Sequence, residues 1–467
     1  MTIWDPDRLL PADPATRAIA RRLYAATAEL PIISPHGHVP AQWLADDTAF
    51  ADPTSLLISP DHYVFRLLHA QGVSLADLGV GGTVLDADGS RRAWRLFCEN
   101  WSAFRGTPSR FWLDSVLYDV FGVTDRLSGR TADASYDQIA AGLARREFRP
   151  RALAERFGIS VLATTDDPVD DLGHHEVLHV DETFATRVVP TFRPDRYLEP
   201  CRPEFPELVK TLGVAADLDT STYGGYIAAL EDRRRYFKAH GAVSSDHSHL
   251  DAVTLTLDDT EAARIYAASL SGDATAAEAT AFRRHMLVEM ARMATVDGLV
   301  MTLHPGVHRN HHTPTFERFG PDTGHDIPVG VELTRGLQPL LDRFGTVEGF
   351  HLVLFTVDET VFSREIAPLA GFYPSVYAGA PWWFLDAPAA VRRYRAAVTE
   401  TAGFYRTSGF IDDTRAFLSI PARHDMSRRL DAGYLAQLVA EHQLDEDEAL
   451  ETAIDLVTTI PERAFKL

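Results

Sequence analysis

The sequence predicts an α/β protein of the (β/α)8-barrel class, with a helical subdomain inserted after its first strand. Three observations carry that expectation. Eight short apolar runs alternate with amphipathic stretches along the 467 residues, and near-continuous apolar character is what a buried parallel strand shows. Most runs end in charged or histidine-bearing clusters, as strand C-termini do where a barrel gathers its active site. Roughly 120 residues separate the first run from the second, far more than one βα crossover needs.

The runs fall at residues 31–33, 159–165, 187–192, 241–245, 298–303, 350–355, 375–379 and 409–411, the last with only three residues of strand character. They divide the chain into residues 1–39 (lead-in helix and first strand), 40–155 (an inserted helical subdomain roofing the site) and 156–467 (the rest of the barrel and a C-terminal helix). Helical patterns fall at 91–104 and 109–121, rich in Trp and Phe, then at 221–238 and 445–458. In the last, Leu450, Ala453, Ile454 and Val457 share one face, and the acids from Asp445 to Glu448 suit the N-terminal dipole.

Composition narrows the function. Hydrophobic content of 45% and charged content of 24% describe a globular chain. Cys98 and Cys201 cannot build a disulfide framework, which fits a reducing compartment. No signal-like start is apparent, and no run approaches the roughly 18 apolar residues of a membrane span, so a cytoplasmic location is expected. A net charge of −21 argues against nucleic acid. The clusters Arg233-Arg234-Arg235 and Arg428-Arg429 read as solvated helix faces. An anionic small molecule needs only a few arginines converging locally.

The most informative cluster is His36-Gly37-His38. In a strand, residues i and i+2 point to the same side, so both imidazoles suit one metal ion. The other run ends are Asp166-Asp167, Arg193-Pro194-Asp195, Asp246-His247, His304-Pro305, Thr356-Val357-Asp358, Trp382-Trp383 and Asp412-Asp413-Thr414-Arg415. Asp167, Asp195 and Asp358 read as helix N-caps. His36, His38, Arg193, Asp246, His304, Asp413 and Arg415 read together as one shared site.

Taken in order, the motifs resemble the uronate isomerases (glucuronate isomerases) of the amidohydrolase superfamily. The pieces are Asp61-His62-Tyr63-Val64-Phe65-Arg66, Thr164-Thr165-Asp166-Asp167-Pro168, Pro190-Thr191-Phe192-Arg193-Pro194-Asp195, Ser245-Asp246-His247 and Leu303-His304 leading to Arg309-Asn310. Trp382-Trp383-Phe384 and Asp413-Thr414-Arg415-Ala416-Phe417-Leu418-Ser419 complete the set. The likeness runs nearly end to end and implies an amidohydrolase-type barrel. It also implies interconversion of an aldouronate and its ketouronate through an enediol: D-glucuronate with D-fructuronate, and D-galacturonate with D-tagaturonate.

The same resemblance implies one divalent metal, expected to be zinc, on His36, His38 and Asp413. Asp413 and Tyr63 are the candidates for proton transfer, with His62 and Arg415 beside them. Arg193, Arg415 and Arg309 would clamp the carboxylate, because guanidinium forks match carboxylates bidentately. An internal salt bridge is the competing reading of these arginines. Asp246, His304, Arg66, Trp382 and Trp383 would complete the substrate site. The expected partner is a small sugar acid, not nucleic acid or membrane, and the family suggests homo-oligomers.

Three departures from the family pattern stand out. The chain has Ser34-Pro35-His36-Gly37-His38 where many members have Asp-Tyr-His-Cys-His. It has Phe111-Trp112 and Asp114-Ser115-Val116-Leu117 in place of His-Trp and His-Leu-Glu-Leu. It has Val357-Asp358-Glu359-Thr360 where many show Asn-Pro-Arg. A metal-dependent hydrolase of a sugar-acid lactone, ester or amide is the alternative, although no run end carries the lysine that two-metal members use. A non-catalytic sugar-acid-binding barrel is a second one.

Overall fold

The computed structural model describes residues 5–467. Seven parallel strands fall in chain order at Ile32–Ser34, Ile159–Ala163, Arg187–Val189, Ser244–His247, Val300–Leu303, Leu352–Leu354 and Val376–Ala378. The third is interrupted at Pro190, which has no N–H to give the ladder, and resumes as Thr191–Phe192. Each strand pairs in parallel with the next. The ring is completed by a parallel bridge from Ala378 to Thr407 and by the His38 N–H donating to the Thr414 carbonyl at 3.0 Å. This is a (β/α)8 barrel.

The eighth run departs from expectation. Residues 409–411 form no regular strand, and the ladder contact lies upstream at Thr407. Gly409 explains the break: its φ of +72° takes the backbone out of the extended region, and a Cβ there would lie 2.9 Å from Pro461.

Between the first and second strands the chain is helical, with its longest helices at Ala87–Glu99 and Ala132–Leu143. Polar caps set the starts: Asp52, Asp61, Asp86 and Thr107 each accept backbone N–H groups of the helix that follows. Trp94, Phe97, Trp101 and Phe104 form an aromatic centre continuous with Ile32, Ile159 and Leu162 of the barrel. These helices are therefore built onto the barrel wall. The C-terminal helix Glu446–Val457 starts at Asp445, whose carboxylate accepts the Glu448 N–H at 2.8 Å.

The arginine clusters are not solvated faces. Arg234 is fully buried and forks onto Asp297, and Arg233 is buried against the Pro168 and Asp170 carbonyls. Arg428 donates to the Ala28 and Pro31 carbonyls, while Arg429 pairs with Asp425. Of the five, Arg235 alone is exposed. A long aliphatic stem lets a guanidinium reach a buried partner from a helix face, which charge patterning cannot reveal. Among the described residues, no helix is long and apolar enough to cross a membrane.

Candidate active site

The strand C-termini open onto a cavity of about 890 Å³. His36 and His38 enter it after the first strand, Asp246 from the fourth, His304 after the fifth, and Asp413 from the segment that closes the barrel. Asp413 is the hub. Its Oδ1 lies 3.0 Å from His38 Nε2 and 3.5 Å from His36 Nε2, and its Oδ2 lies 3.8 Å from His304 Nε2. The backbone of Asp413 is left-handed, at φ +39°, and holds the carboxylate where neighbouring Asp412 cannot reach.

Around the hub the barrel interior fixes each group. Asp246 accepts from Thr302 Oγ1 at 2.8 Å, holds His304 Nδ1 at 2.7 Å and lies 3.4 Å from Arg193 Nε. The His304 ring stacks with Phe355 (4.1 Å) and with His36 (4.8 Å), and Trp382 lies edge-on at 4.7 Å. Asp246 thereby orients His304 so that its Nε2 turns to Asp413.

Burial pushes the His36 imidazole down to about 4, against the pull of Asp246 and Asp413, so it is neutral near pH 7. Burial resists charge on Asp413 too, but the imidazoles of His36 and His38 outweigh it and hold the carboxyl well below its ordinary range. Asp246 behaves alike: His304, His36 and Arg193 overcome the burial penalty.

These residues fit a divalent ion. His36, His304 and Asp413 each offer a donor atom within 4.8 Å of the others, His38 adjoins Asp413, and His36 Nδ1 and His304 Nε2 are buried without hydrogen-bond partners. The sequence expectation of His36, His38 and Asp413 thus gains His304, which had been read as a substrate residue.

The opposite wall comes from the helix His62–His69. Its first residues His62 and Tyr63 line the cavity with Trp382, Trp383, Arg309 and Arg415. Burial and nearby Arg415 push His62 down to about 3. Burial raises the Tyr63 phenol far above its ordinary range, against Arg423, whose guanidinium lies 5.1 Å from the Tyr63 ring centre. Tyr63 therefore stays protonated. Arg415 pairs with Asp322 at 2.9 Å; Arg309 pairs with Asp326 at 2.9 Å and lies over Trp383. Both salt bridges use aspartates that sequence reading missed: Asp322 lies far upstream of Arg415, and Asp326, 17 residues after Arg309, has no motif around it.

Several expectations need correction. Arg66 does not line the cavity; its guanidinium lies over Phe384, 4.9 Å from the ring centre. Asp195 is no N-cap: its side chain accepts the Ser248 N–H and faces His249. Asp167 and Asp358 cap local turns two residues on, at Val169 and Thr360, rather than helices.

A closed parallel barrel with a His/Asp donor cluster at its mouth and arginines facing it defines a barrel enzyme whose pocket suits an anionic small molecule. Comparison with known proteins narrows this. Residues 14–460 match the glucuronate isomerase family. A uronate isomerase of Cutibacterium acnes is 56% identical over 461 residues, covering 99% of this chain and 98% of that one. The crystal structure of a glucuronate isomerase from Caulobacter crescentus superposes with a TM-score of 0.96 at 47% identity, covering 99% and 97%. A uronate isomerase structure from Thermotoga maritima gives 0.92 at 28%, covering 99% of each chain. The chain belongs to the glucuronate isomerase family, and it is an aldose–ketose isomerase, not a hydrolase.

Proposed function

We propose that this enzyme interconverts D-glucuronate with D-fructuronate, and D-galacturonate with D-tagaturonate, in the cavity at the barrel mouth. The observation that carries the reading is the facing of Asp413, ionised among imidazoles, and Tyr63, held protonated by burial. Isomerisation moves the C2 proton to C1 and the O2 hydroxyl proton to O1. Asp413 takes the C2 proton and returns it at C1; the Tyr63 phenol donates to the substrate oxygens as charge develops there. Arg415 and Arg309 hold the C6 carboxylate, exchanging their aspartate partners for it, and Arg193 with Asp246 orients the substrate hydroxyls. Trp382 and Trp383 form an apolar wall.

His36, His38, Asp413 and His304 would hold one zinc ion, which when bound would polarise the substrate oxygens. The helices of residues 40–155 serve as the roof, since they bring His62 and Tyr63 to the cavity. Two isolated cysteines support a cytoplasmic location, and family resemblance supports a homo-oligomer. Proton NMR of each sugar with the enzyme in D₂O tests the reading. Ketouronate signals from either sugar bear it out, and the ratio of rates ranks the two. A folded, zinc-loaded enzyme that changes neither sugar overturns it.

A further inference from the structure

Outside the hub, a second set of donors converges behind the third and fourth strands. His247 and His249 are buried, Asp195 has 13% of its side chain exposed, and each offers one ligand atom within 4.8 Å of the others. Three of their atoms lack hydrogen-bond partners although no solvent reaches them: Asp195 Oδ1, His249 Nε2 and His247 Nδ1. The Nε2 of His247 is likewise unpaired. An unpaired buried polar atom loses its water and gains nothing in return, so several gathered in one place ask for a ligand.

The surroundings direct the lone pairs inward. Asp195 Oδ2 is taken by the Ser248 N–H at 3.0 Å and by Arg193 Nε at 3.4 Å, which leaves Oδ1 for the cluster. His249 Nδ1 lies 3.1 Å from Glu199 Oε1, and Arg202 steadies that carboxylate at 2.8 Å. A carboxylate on one ring nitrogen fixes the proton there and presents the other nitrogen as a lone-pair donor, the arrangement that supports metal-bound histidines. Asp195 Oδ1 lies 3.5 Å from His249 Nε2 and 3.9 Å from His247 Nδ1. Tetrahedral ligands at about 2.0–2.1 Å from a zinc ion stand roughly 3.4 Å apart. The spacing is close to that edge.

We propose that Asp195, His247 and His249 form a second metal site, for a borderline divalent ion such as Zn²⁺, distinct from the His36/Asp413 centre. Three protein donors leave a fourth position, and Asp195 with Glu199 lines the main cavity, which gives the ion a way in. The ion fixes Asp195, whose other oxygen holds Arg193, and Arg193 in turn faces Asp246 and so His304. Two centres would thus be joined through one arginine. A hard ion such as Mg²⁺ is disfavoured, because two imidazoles in three donors suit Zn²⁺ and its neighbours in the transition series.

The test is metal stoichiometry on the full-length protein, equilibrated with ZnCl₂ and then exchanged into metal-free buffer. About two equivalents per chain are expected, falling to about one in His249→Gln and to about one in the His36→Gln/His38→Gln double variant. One equivalent or fewer in the wild type, or two retained in His249→Gln, overturns the proposal. Crystals of zinc-loaded wild type provide a measurement that does not depend on a variant folding. An anomalous peak at the zinc edge among the three donors supports the site, and no peak there overturns it.

Discussion

Asp413 and Asp412 are neighbours in the chain and belong to opposite kinds of buried polar region. Asp413 turns to the cavity and joins a cluster of imidazoles and carboxylates in which His36 Nδ1 and His304 Nε2 have no hydrogen-bond partner. Asp412 turns to the wall and meets His424 Nε2 at 3.0 Å, beside Arg423. Arg423 is fully buried, bonded to Ser419, Asp386 and the Asp412 carbonyl, with its face 3.5 Å from the Trp112 ring centre. In the wall, a cation is matched to anions and aromatic faces. At the mouth, Asp413 is answered instead by imidazoles that line the cavity. Both regions keep buried polar atoms without hydrogen-bond partners, Asp386 Oδ1, Asp412 Oδ1 and Arg423 Nη2 in the wall among them; what sets the mouth apart is that its groups line a cavity.

Asp413→Asn should break the mouth without breaking the wall. Loss of kcat by roughly 10³-fold or more is expected by NMR assay, with little change in the urea midpoint. The converse is Arg423→Met, which leaves Asp386 buried without its cation and should cost about 3–5 kcal/mol in urea unfolding. Surviving folded enzyme should lose less kcat than Asp413→Asn, because Arg423 lies against the Tyr63 ring and does not line the cavity. Comparable losses of rate and stability in both variants would erase the distinction.

His62 sharpens the comparison through pH. Its folded value, about 3, lies below the ordinary 6.5, so the unfolded chain binds the extra proton between them. Its contribution to stability is present above pH 6.5 and lost as pH falls through that window. Between about pH 6.5 and 4.5 the wild type should lose about 2–3 kcal/mol more than His62→Asn in urea titrations. Arg415→Met should raise KM about tenfold or more with a smaller change in kcat, by removing a charged bond to the carboxylate. Arg66→Ala should change KM by less than about threefold, because Arg66 packs on Phe384 outside the cavity. A large KM effect at Arg66 would move the boundary of the site.

Most of the site was legible because barrel strands carry a simple code. His36 and His38 share a side by the period of two, and clusters at run ends must meet when the strands close into a ring. The same code was passed over once. His247-Ser248-His249 repeats the spacing of His36-Gly37-His38 at the end of the fourth strand, yet Asp195, the residue that completes its cluster, was read as a helix cap. The local sequence around Asp195 satisfies either role, and only the position of the fourth strand beside the third decides between them.

By itself the sequence determined the barrel class, the helical insertion and the residue types at the mouth, since these follow from apolar periodicity and from what stands at each run end. Tertiary structure alone decided which charges meet. Asp322 reaches Arg415 from a loop far upstream, Asp326 reaches Arg309 across 17 residues, Arg66 points away, His304 joins the donors, and Arg234 is buried. Periodicity tells which side a residue faces. It does not tell what another part of the chain, folded tens or hundreds of residues later, will place opposite it, and pairing energies depend on that separation and burial.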